Sequence, residues 1–231
     1  MKFIPSRSKF GMAVIKIGKI YPKSRIEISG FTARNYETLL NVITFGYYRR
    51  LVIKMVRGMD IDPSDKIIDF GAGSGYNEYF MKDYLSAEGE ILALDIGEEM
   101  IKQFRNKFDG RENIKIKNQR IDQILPYEEE FDKVLISFVL HGLPQESREK
   151  TIENALKVLK TGGEFFVFDY GETPFEDMPF YFRIPFSAIE CEYAYDFLER
   201  DWNEILLQNG FSRTKSRSYS GGLFRLLKAV K

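Results

Sequence analysis

The sequence has only one cysteine, Cys191, and one histidine, His141, among its 231 residues. A lone cysteine excludes an internal disulfide framework and any metal site built from several thiolates. No bound metal is expected. No apolar stretch approaches the roughly 18 uncharged residues that a membrane-spanning helix requires. Charges also interrupt the N-terminal segment, which therefore differs from an ordinary signal peptide. These absences predict a reducing, cytoplasmic setting.

Positive and negative charges balance over the whole chain, but they are unevenly distributed. Residues 1–30 carry seven basic side chains and one acidic one, so this segment is +6 and the remainder is −6. We predict a basic N-terminal arm over residues 1–33, which is either a solvated segment or a peripheral contact for anionic lipid or RNA. Basic residues cluster only in this arm of the sequence, and the acidic remainder would repel phosphates. Nucleic acid is therefore not the expected partner.

Helical and strand patterns alternate after the arm. Apolar residues at spacings of three and four predict an amphipathic helix over 34–57, interrupted at Gly46. Strands are predicted at 66–70, 90–95, 113–118, 131–140 and 164–170. Further helices are predicted over 76–86, 98–108, 193–209 and 146–160, the last with a glycine cap at Gly162 and Gly163. Two closing strands, 211–220 and 223–231, are joined through Gly221 and Gly222.

This alternation predicts a doubly wound, Rossmann-like α/β sheet that is mostly parallel and covered by helices on both faces. Residues 34–231 are predicted to form one domain, because no linker or internal repeat divides them. Residues 171–192 interrupt the alternation with three prolines, four phenylalanines and a tyrosine. We interpret this stretch as an insertion on the ligand side of the sheet.

The stretch "DFGAGSG", residues 69–75, follows the first predicted strand directly. Glycines at this position let the backbone turn sharply and approach a ligand without an intervening Cβ. Two ligand classes fit the pattern: a dinucleotide, or a nucleoside that carries a charged amino-acid tail. The acid Asp69 suits an ammonium group and would repel a pyrophosphate, which favours the second class. A P-loop is excluded, because no Gly-Lys-Ser/Thr sequence follows.

Asp95 ends the second predicted strand, in "LALD", twenty residues after Gly75. A carboxylate at this place accepts hydrogen bonds from both ribose hydroxyls, and it would do so for either ligand class. Asp95 therefore supports a nucleoside ligand without distinguishing between the two.

Four stretches occur in an order that resembles the class I S-adenosylmethionine-dependent methyltransferases: "DFGAGSG", "LALD", "LPYEEEFDKVLISFVLHGLP" and "ALKVLKTGGEFFVFD". The resemblance covers roughly residues 34–231 and implies a seven-stranded sheet whose last strand is antiparallel. Within this class, "NYETLLNVITFGYYRR" and "GGLFRLLKAVK" are similar to the ubiquinone/menaquinone C-methyltransferase group. S-adenosyl-L-methionine is the cofactor that the resemblance implies.

The resemblance also implies roles for individual residues. Asp69 would lie near the ammonium group of the cofactor, Asp95 would bind its ribose, and either Asp122 or backbone groups around Ile121 would bind its adenine. The full set of cofactor-binding residues implied is Tyr36, Asp69, Gly71, Ala72, Gly73, Gly75, Asp95, Ile96, Ile121 and Asp122.

His141 follows the fourth predicted strand, at the edge that faces the cofactor. Its ordinary pKa near 6.5 would let it accept a proton from the methyl acceptor at neutral pH. The alternative is a histidine that orders the loop before Pro144 or orients the substrate. Both interpretations stay open at this point.

Aromatic residues are candidates for an acceptor pocket, which would favour a flat, apolar molecule. The alternative is that these rings form core. The candidates are Tyr47, Phe180, Tyr181, Phe182 and Phe186.

The sequence therefore predicts a methyltransferase for a small or lipid-like aromatic acceptor, such as a quinol precursor. Three alternatives remain open. They are a small-molecule O-, N- or S-methyltransferase, a non-catalytic protein of the same fold, and a more distant NAD-dependent oxidoreductase.

Overall fold

The computed structural model describes residues 20, 21, 23, 24 and 30–231. The strands are β1 (Lys66–Phe70), β2 (Glu90–Asp95), β3 (Ile114–Asn118), β4 (Phe131–Ser137), β5 (Leu159–Tyr170), β6 (Arg213–Tyr219) and β7 (Phe224–Val230). The α-helices are α1 (Gly30–Ile43), α2 (Tyr47–Gly58), α3 (Tyr76–Met81), α4 (Glu98–Lys107), α5 (Gln145–Val158), α6 (Phe180–Ile189), α7 (Glu192–Leu198) and α8 (Trp202–Gln208).

The strands form one seven-stranded sheet in the order β3-β2-β1-β4-β5-β7-β6. Strands β1 to β5 pair in parallel, whereas β7 is antiparallel to both β5 and β6. The predicted Rossmann-like sheet with an antiparallel last strand is confirmed. The strand order reverses between β1 and β4, which is where doubly wound sheets bind their ligands.

Helices cover both faces of the sheet, and alternate residues of each central strand serve opposite faces. Ile67 packs with the buried side chains of α2, α3 and α4, whereas the next residue, Ile68, packs with those of α5, α7 and α8. In β5, Phe166 packs on the same face as Ile67, and Phe165 packs on the same face as Ile68. This double burial explains why the central strands are nearly continuous apolar runs.

The predicted interruption at Gly46 is confirmed, because Gly46 has φ 75° and separates α1 from α2. The glycine cap predicted for α5 is wrong. The helix ends at Val158, and Leu159 already pairs with Phe131 of β4. Gly162, with φ 79°, lies inside β5 instead.

Three other elements are shorter than predicted. Helix α3 ends at Met81 rather than near 86, and the amide of Ser86 then donates to the Pro63 carbonyl at 2.8 Å. Strand β4 ends at Ser137, because Phe138 adopts φ 54°. The single helix predicted over 193–209 is two helices, since Asp201 caps α8 by accepting the Glu204 amide.

The insertion at residues 171–192 contains a short 3-10 turn and helix α6. Its buried members, Met178 and Phe186, pack with Ala194, Leu198 and Leu223 in a third, smaller core. Phe182 packs against this core, and its ring lies 5.6 Å from that of Phe224. Much of this aromatic stretch therefore fastens α6 and α7 to the closing hairpin.

Candidate cofactor and acceptor site

A cavity of about 890 Å³ opens at the carboxyl ends of β1, β2 and β4. Ligand pockets in proteins span about 300–1,000 Å³, so this cavity is large enough for a nucleoside cofactor and a further molecule. Six of the predicted cofactor residues line it: Gly71, Ala72, Gly73, Asp95, Ile96 and Ile121. Asp69, Gly75 and Asp122 lie behind its wall, and the Tyr36 side chain is outside the described residues.

The glycine loop requires glycine for two different reasons. A Cβ on Gly71 would lie 2.6 Å from Val139 Cγ2, and a Cβ on Gly75 would lie 2.6 Å from the Phe108 ring. Gly73 has φ 60° but open space around it, on the side of the loop that lines the cavity. Gly71 and Gly75 thus allow close packing, whereas Gly73 leaves the cavity wall free of side chain.

These two glycines form a matched pair for substitution. We expect Gly73→Ala to lower the free energy of unfolding by about 1–2 kcal/mol, the cost of a left-handed residue with a Cβ. Gly71→Ala adds the overlap with Val139, so a loss of about 2–5 kcal/mol is expected. Chemical denaturation of both variants measures the difference, and equal losses would show that the Val139 contact relaxes freely.

Asp95 joins two loops at the edge of the cavity. Its Oδ2 accepts the Gly73 amide at 2.8 Å, and its Oδ1 accepts the Gly97 amide at 2.7 Å. Burial raises the pKa of Asp95, and the bonds from Gly97 and Gly73 oppose that rise. Each carboxylate oxygen keeps a further lone pair, so Asp95 can also accept hydroxyl groups of a ligand.

Asp69 lies beneath the glycine loop, next to Glu78 of α3. Asn77 donates to Asp69 Oδ2 at 3.3 Å, and the Glu78 carboxyl group is buried beside the Asp69 carboxyl group. Burial raises the pKa of Asp69 to about 6, and it raises the pKa of Glu78 well above its ordinary value. Asp69 therefore supports the loop from behind, and its predicted contact with a ligand ammonium stays a prediction.

We expect Glu78→Gln to stabilise the fold, because it removes a buried carboxyl and offers an amide donor to Asp69. The native carboxyl holds its proton above the pH at which the unfolded one ionises, so the wild type loses stability as pH rises from about 4.5. The increase in the free energy of unfolding caused by Glu78→Gln should therefore grow with pH and reach about 1–3 kcal/mol at pH 8. Denaturation at pH 5 and pH 8 tests this, with the exposed Glu88→Gln as control. A gain that does not change with pH would contradict it.

Ile121 lines the cavity, but Asp122 faces away from it. The Asp122 carboxylate accepts two hydrogen bonds from Arg120, at 2.9 Å each, and one from Ser147 at 2.7 Å. Although burial opposes the shift, these bonds lower the pKa of Asp122. Asp122 thus holds the loop that carries Ile121, and the contact of either residue with an adenine stays a prediction.

Tyr21 covers this end of the cavity from the N-terminal segment. It is buried, its hydroxyl hydrogen-bonds to Asp122, and the Arg120 guanidinium lies 5.4 Å from the centre of its ring. Ile20 lines the cavity beside it. Sequence reasoning placed no site residue in residues 1–33, since only the basic charge of that segment was visible.

Glu37 of α1 is a second residue that the sequence did not reveal. Its Oε1 accepts hydrogen bonds from Ser74 in the glycine loop and from Lys107 at the end of α4. Glu37 also lines the cavity. One carboxylate therefore ties α1 to the glycine loop and to α4.

His141 lies in a buried network outside the cavity lining. Its Nδ1 is 2.7 Å from Asp169 Oδ1, and its Nε2 is 3.2 Å from Glu190 Oε2. Burial alone would lower the pKa of His141, but the charges and hydrogen bonds of Asp169 and Glu190 raise it to about 10. At neutral pH the ring already carries its second proton. This geometry favours the structural alternative over a general base.

None of the predicted acceptor residues lines the cavity. Phe180 and Tyr181 are exposed, Phe186 is buried in the small core, and Phe182 packs against it. Tyr47 points outward, and its hydroxyl bonds to Ser220. Other aromatic side chains take their place in the wall: Tyr21, Tyr48, Tyr76 and Phe138.

Three of these wall residues, Tyr48, Tyr76 and Phe138, form a connected aromatic surface. Tyr48 and Tyr76 stack with ring centres 5.4 Å apart and an interplanar angle of 12°, and Phe138 lies 6.2 Å from Tyr48. Phe138 also contacts Phe168 and Phe224. A signal for Tyr48 exists in the sequence, because it precedes buried Val52, Met55 and Met59 at helical spacing.

The family model described as "Methyltransferase domain" matches residues 67–163, which carry the glycine loop, Asp95 and β4. The chain is a class I S-adenosylmethionine-dependent methyltransferase. The match favours this activity over the oxidoreductase alternative.

Two curated relatives show the extent of the similarity to this methyltransferase. The chain is 25% identical over 255 residues to "Ubiquinone/menaquinone biosynthesis C-methyltransferase UbiE" of Wigglesworthia glossinidia brevipalpis, covering 100% of both proteins. It is 25% identical over 209 residues to "Demethylmenaquinone methyltransferase" of Staphylococcus carnosus, covering 82% of this chain and 85% of that protein.

Solved structures share the fold. A putative O-methyltransferase from Nostoc punctiforme has a TM-score of 0.67 at 15% identity, covering 87% of this chain and 59% of its own. The complex of the Haloferax volcanii Trm112 methyltransferase activator with a putative methyltransferase provides a chain with a TM-score of 0.65 at 15% identity, covering 88% of this chain and 98% of its own. These similarities concern the fold alone.

The methyltransferase cofactor is S-adenosyl-L-methionine, and the cavity fits its chemistry. Asp95 offers free lone pairs at a place suited to a ribose, and Gly73 leaves open space in the adjoining wall. Apolar Ile96 and Ile121, with buried Tyr21, suit a flat purine ring. The residue assignments within this fit stay proposals.

Proposed function

We propose that this methyltransferase transfers a methyl group to a small, lipid-like aromatic acceptor, with a quinol precursor as the first candidate. The observation that carries the proposal is the aromatic wall formed by Tyr48, Tyr76 and Phe138 beside the glycine loop. A stacked pair of rings favours a flat, apolar molecule over a polar one. The names of the two quinone-pathway relatives support the same acceptor class.

S-adenosyl-L-methionine supplies an electrophilic methyl group when it is bound. The protein then has to align the acceptor with that group and keep water away from both. Phe138 helps to shape the wall, because its φ of 54° turns the chain out of β4 at the cavity. Its amide is held by the Phe168 carbonyl at 2.8 Å, which fixes this unusual conformation.

Proton removal is the remaining requirement, since a quinol loses a proton during methylation. Among the described residues that line the cavity there is no histidine. The role of His141 as general base stays a prediction. Its ion pairs with Asp169 and Glu190 argue against that role. A quinol hydroxyl that ionises by itself would need only alignment by the protein.

The decisive assay measures release of S-adenosylhomocysteine over a panel of acceptors. We expect turnover with a short-chain demethylmenaquinol and none with the matching oxidised quinone, which lacks a nucleophilic ring. Turnover confined to simple phenols, amines or thiols would instead identify a small-molecule O-, N- or S-methyltransferase.

A variant connects this assay to the aromatic wall. Tyr48→Ala should raise KM for the quinol roughly five- to tenfold, since one aromatic contact is worth about 1 kcal/mol beyond its area. The exposed Tyr79→Ala on α3 is the matched control and should leave KM unchanged. An unchanged KM for Tyr48→Ala would place the acceptor elsewhere.

We also propose that residues 1–33 form a basic arm beside the 34–231 domain and contact an anionic membrane surface. Most of the arm is outside the described residues, although α1 begins at Gly30 within its predicted range. Removal of residues 1–19 keeps Ile20 and Tyr21 at the cavity and tests the arm by vesicle flotation. Equal recovery of both proteins would contradict this role.

A further inference from the structure

The fold brings together basic side chains that are dispersed in the sequence. Helix α2 packs beside the edge strand β6, where the Tyr219 hydroxyl donates to the Lys54 carbonyl at 3.5 Å. Neither element contains an acidic residue. Seven exposed cations lie on the two elements: Arg49, Arg50, Lys54, Arg57, Arg213, Lys215 and Arg217. The expectation that basic residues cluster only in the N-terminal arm is therefore wrong.

These seven cations can pair with the anions of a partner, although Arg49 lies 5.5 Å from the centre of the Phe80 ring and Arg217 hydrogen-bonds to Tyr219. Within the described part of the chain, none of them forms an ion pair with a carboxylate. Arg50, Lys54 and Arg57 follow one another at helical spacing, so they share one face of α2. On β6, Arg213, Lys215 and Arg217 alternate and thus share one face of the strand.

The last turn of α1 and the connection to α2, together called the α1–α2 turn, carry apolar side chains close in sequence to this basic face. Phe45 is 98% exposed and Val42 is 66% exposed, and both lie within eight residues of Arg49 and Arg50. Phe45 also has φ 48°, a conformation that glycine or asparagine adopts at lower cost. A phenylalanine here buries nothing within the described fold, so packing does not explain its presence.

Helix α6 adds exposed apolar residues beside the same β6–β7 hairpin. Phe180, Tyr181 and Ile184 are each about two-thirds exposed. The hairpin turn contacts α2 through Tyr47 and Ser220, and Phe224, just after the turn, contacts Phe182 of α6. Exposed apolar side chains thus border this hairpin on two sides.

We propose that the α1–α2 turn and the basic face of α2 and β6 dock the enzyme on an anionic lipid bilayer. Such a surface pairs cations with lipid phosphates and takes neighbouring apolar side chains into its interface. RNA would pair with the cations and stack a base on Phe45, but it would leave the aliphatic Val42 in water. No helix among the described residues is long and apolar enough to cross a membrane.

This inference goes beyond the proposed function, since binding to vesicles requires neither cofactor nor acceptor. The full chain is mixed with phosphatidylcholine vesicles, with or without phosphatidylglycerol, and recovery by flotation is measured at two salt concentrations. The turn variant is Val42→Ser with Phe45→Asn, which keeps the left-handed conformation accessible. The charge variant is Arg50→Gln with Lys54→Gln. The control is Ile124→Ser, because Ile124 is equally exposed but follows β3 at the other edge of the sheet.

We expect the wild type to bind anionic vesicles more strongly than neutral ones, and more weakly at high salt. The turn variant should partition at least about tenfold less, the loss expected for buried apolar side chains. The charge variant should lose about fivefold for each cation removed. Ile124→Ser should bind like the wild type, and unchanged fluorescence of the buried Trp202 will confirm that each variant is folded.

Three results would overturn the proposal. The first is absence of vesicle binding by the wild type. The second is a turn variant that binds like the wild type, which would assign any binding to the N-terminal arm. The third is binding to single-stranded RNA that competes with vesicles and is unaffected in the turn variant, which would make the basic face a nucleic-acid surface.

Discussion

Asp95→Ala should weaken binding of S-adenosylhomocysteine by about 100-fold or more, because two hydrogen bonds to a charged acceptor contribute about 1.5–3 kcal/mol each. The variant would lack the predicted hydrogen bonds between the Asp95 carboxylate and the ribose hydroxyls. The change also frees the Gly73 and Gly97 amides, so the two loops at the cavity edge would lose their common acceptor. Isothermal titration calorimetry with the purified protein measures this effect.

A matched control lies at the other end of the strands, because Asp132 is near the amino end of the central strand β4. Asp132 is also half-buried and accepts a backbone amide, that of Lys66, at 2.9 Å. Asp132→Ala should therefore disturb the fold in a comparable way and leave affinity for S-adenosylhomocysteine unchanged. If both variants lost the same affinity, the effect of Asp95 would be one of stability. If Asp95→Ala bound within about threefold of wild type, the ribose assignment would fail.

His141→Ala should lower the free energy of unfolding by about 3–5 kcal/mol at pH 7, the usual result of removing one partner from a buried ion pair. Asp169 and Glu190 would then face each other's charge without the imidazolium between them. Affinity for S-adenosylhomocysteine should change little, since His141 does not line the cavity. Denaturation and calorimetry separate the two effects.

The dependence on pH gives this prediction a direction. The pKa of His141 is about 10 in the fold and 6.5 ordinarily, so the stabilisation is complete below pH 6.5 and lost as pH rises towards 10. The difference in free energy of unfolding between the wild type and His141→Ala should become smaller between pH 6.5 and 10. The exposed pair Lys150–Glu146 supplies the control, and Lys150→Ala should leave stability almost unchanged at every pH. A gap that stays constant from pH 7 to 10 would show that His141 is not held as an imidazolium.

The sheet and the glycine loop could be predicted because their signals are local. An apolar strand followed by glycines and an acid specifies a turn at the edge of a parallel sheet, and β1, β2 and β4 meet there as expected. Glycine at residues 71 and 75 reflects contacts with Val139 and Phe108 that no sequence pattern displays. The residue type was therefore predictable, whereas the reason for it was not.

The acceptor side of the cavity was harder to predict, because it depends on which way each ring points. Tyr47 and Tyr48 are neighbours, but successive residues on a helix point about 100° apart, so only Tyr48 reaches the cavity. Phe138 reaches it because β4 ends three residues earlier than its apolar run. The ties from Glu37 to Ser74 and Lys107 join three distant segments, which no local pattern encodes.

Ile20 and Tyr21 form part of the cavity wall, and the basic residues 1–19 continue directly from them. Any molecule that binds residues 1–19 therefore binds the same segment that lines the cavity. Thermodynamic linkage makes this coupling reciprocal. If binding of the arm to a surface changes the affinity for the cofactor by some factor, bound cofactor changes the affinity for the surface by the same factor. If the arm binds a partner, the position of Tyr21 therefore predicts that the cofactor and the partner change each other's affinity.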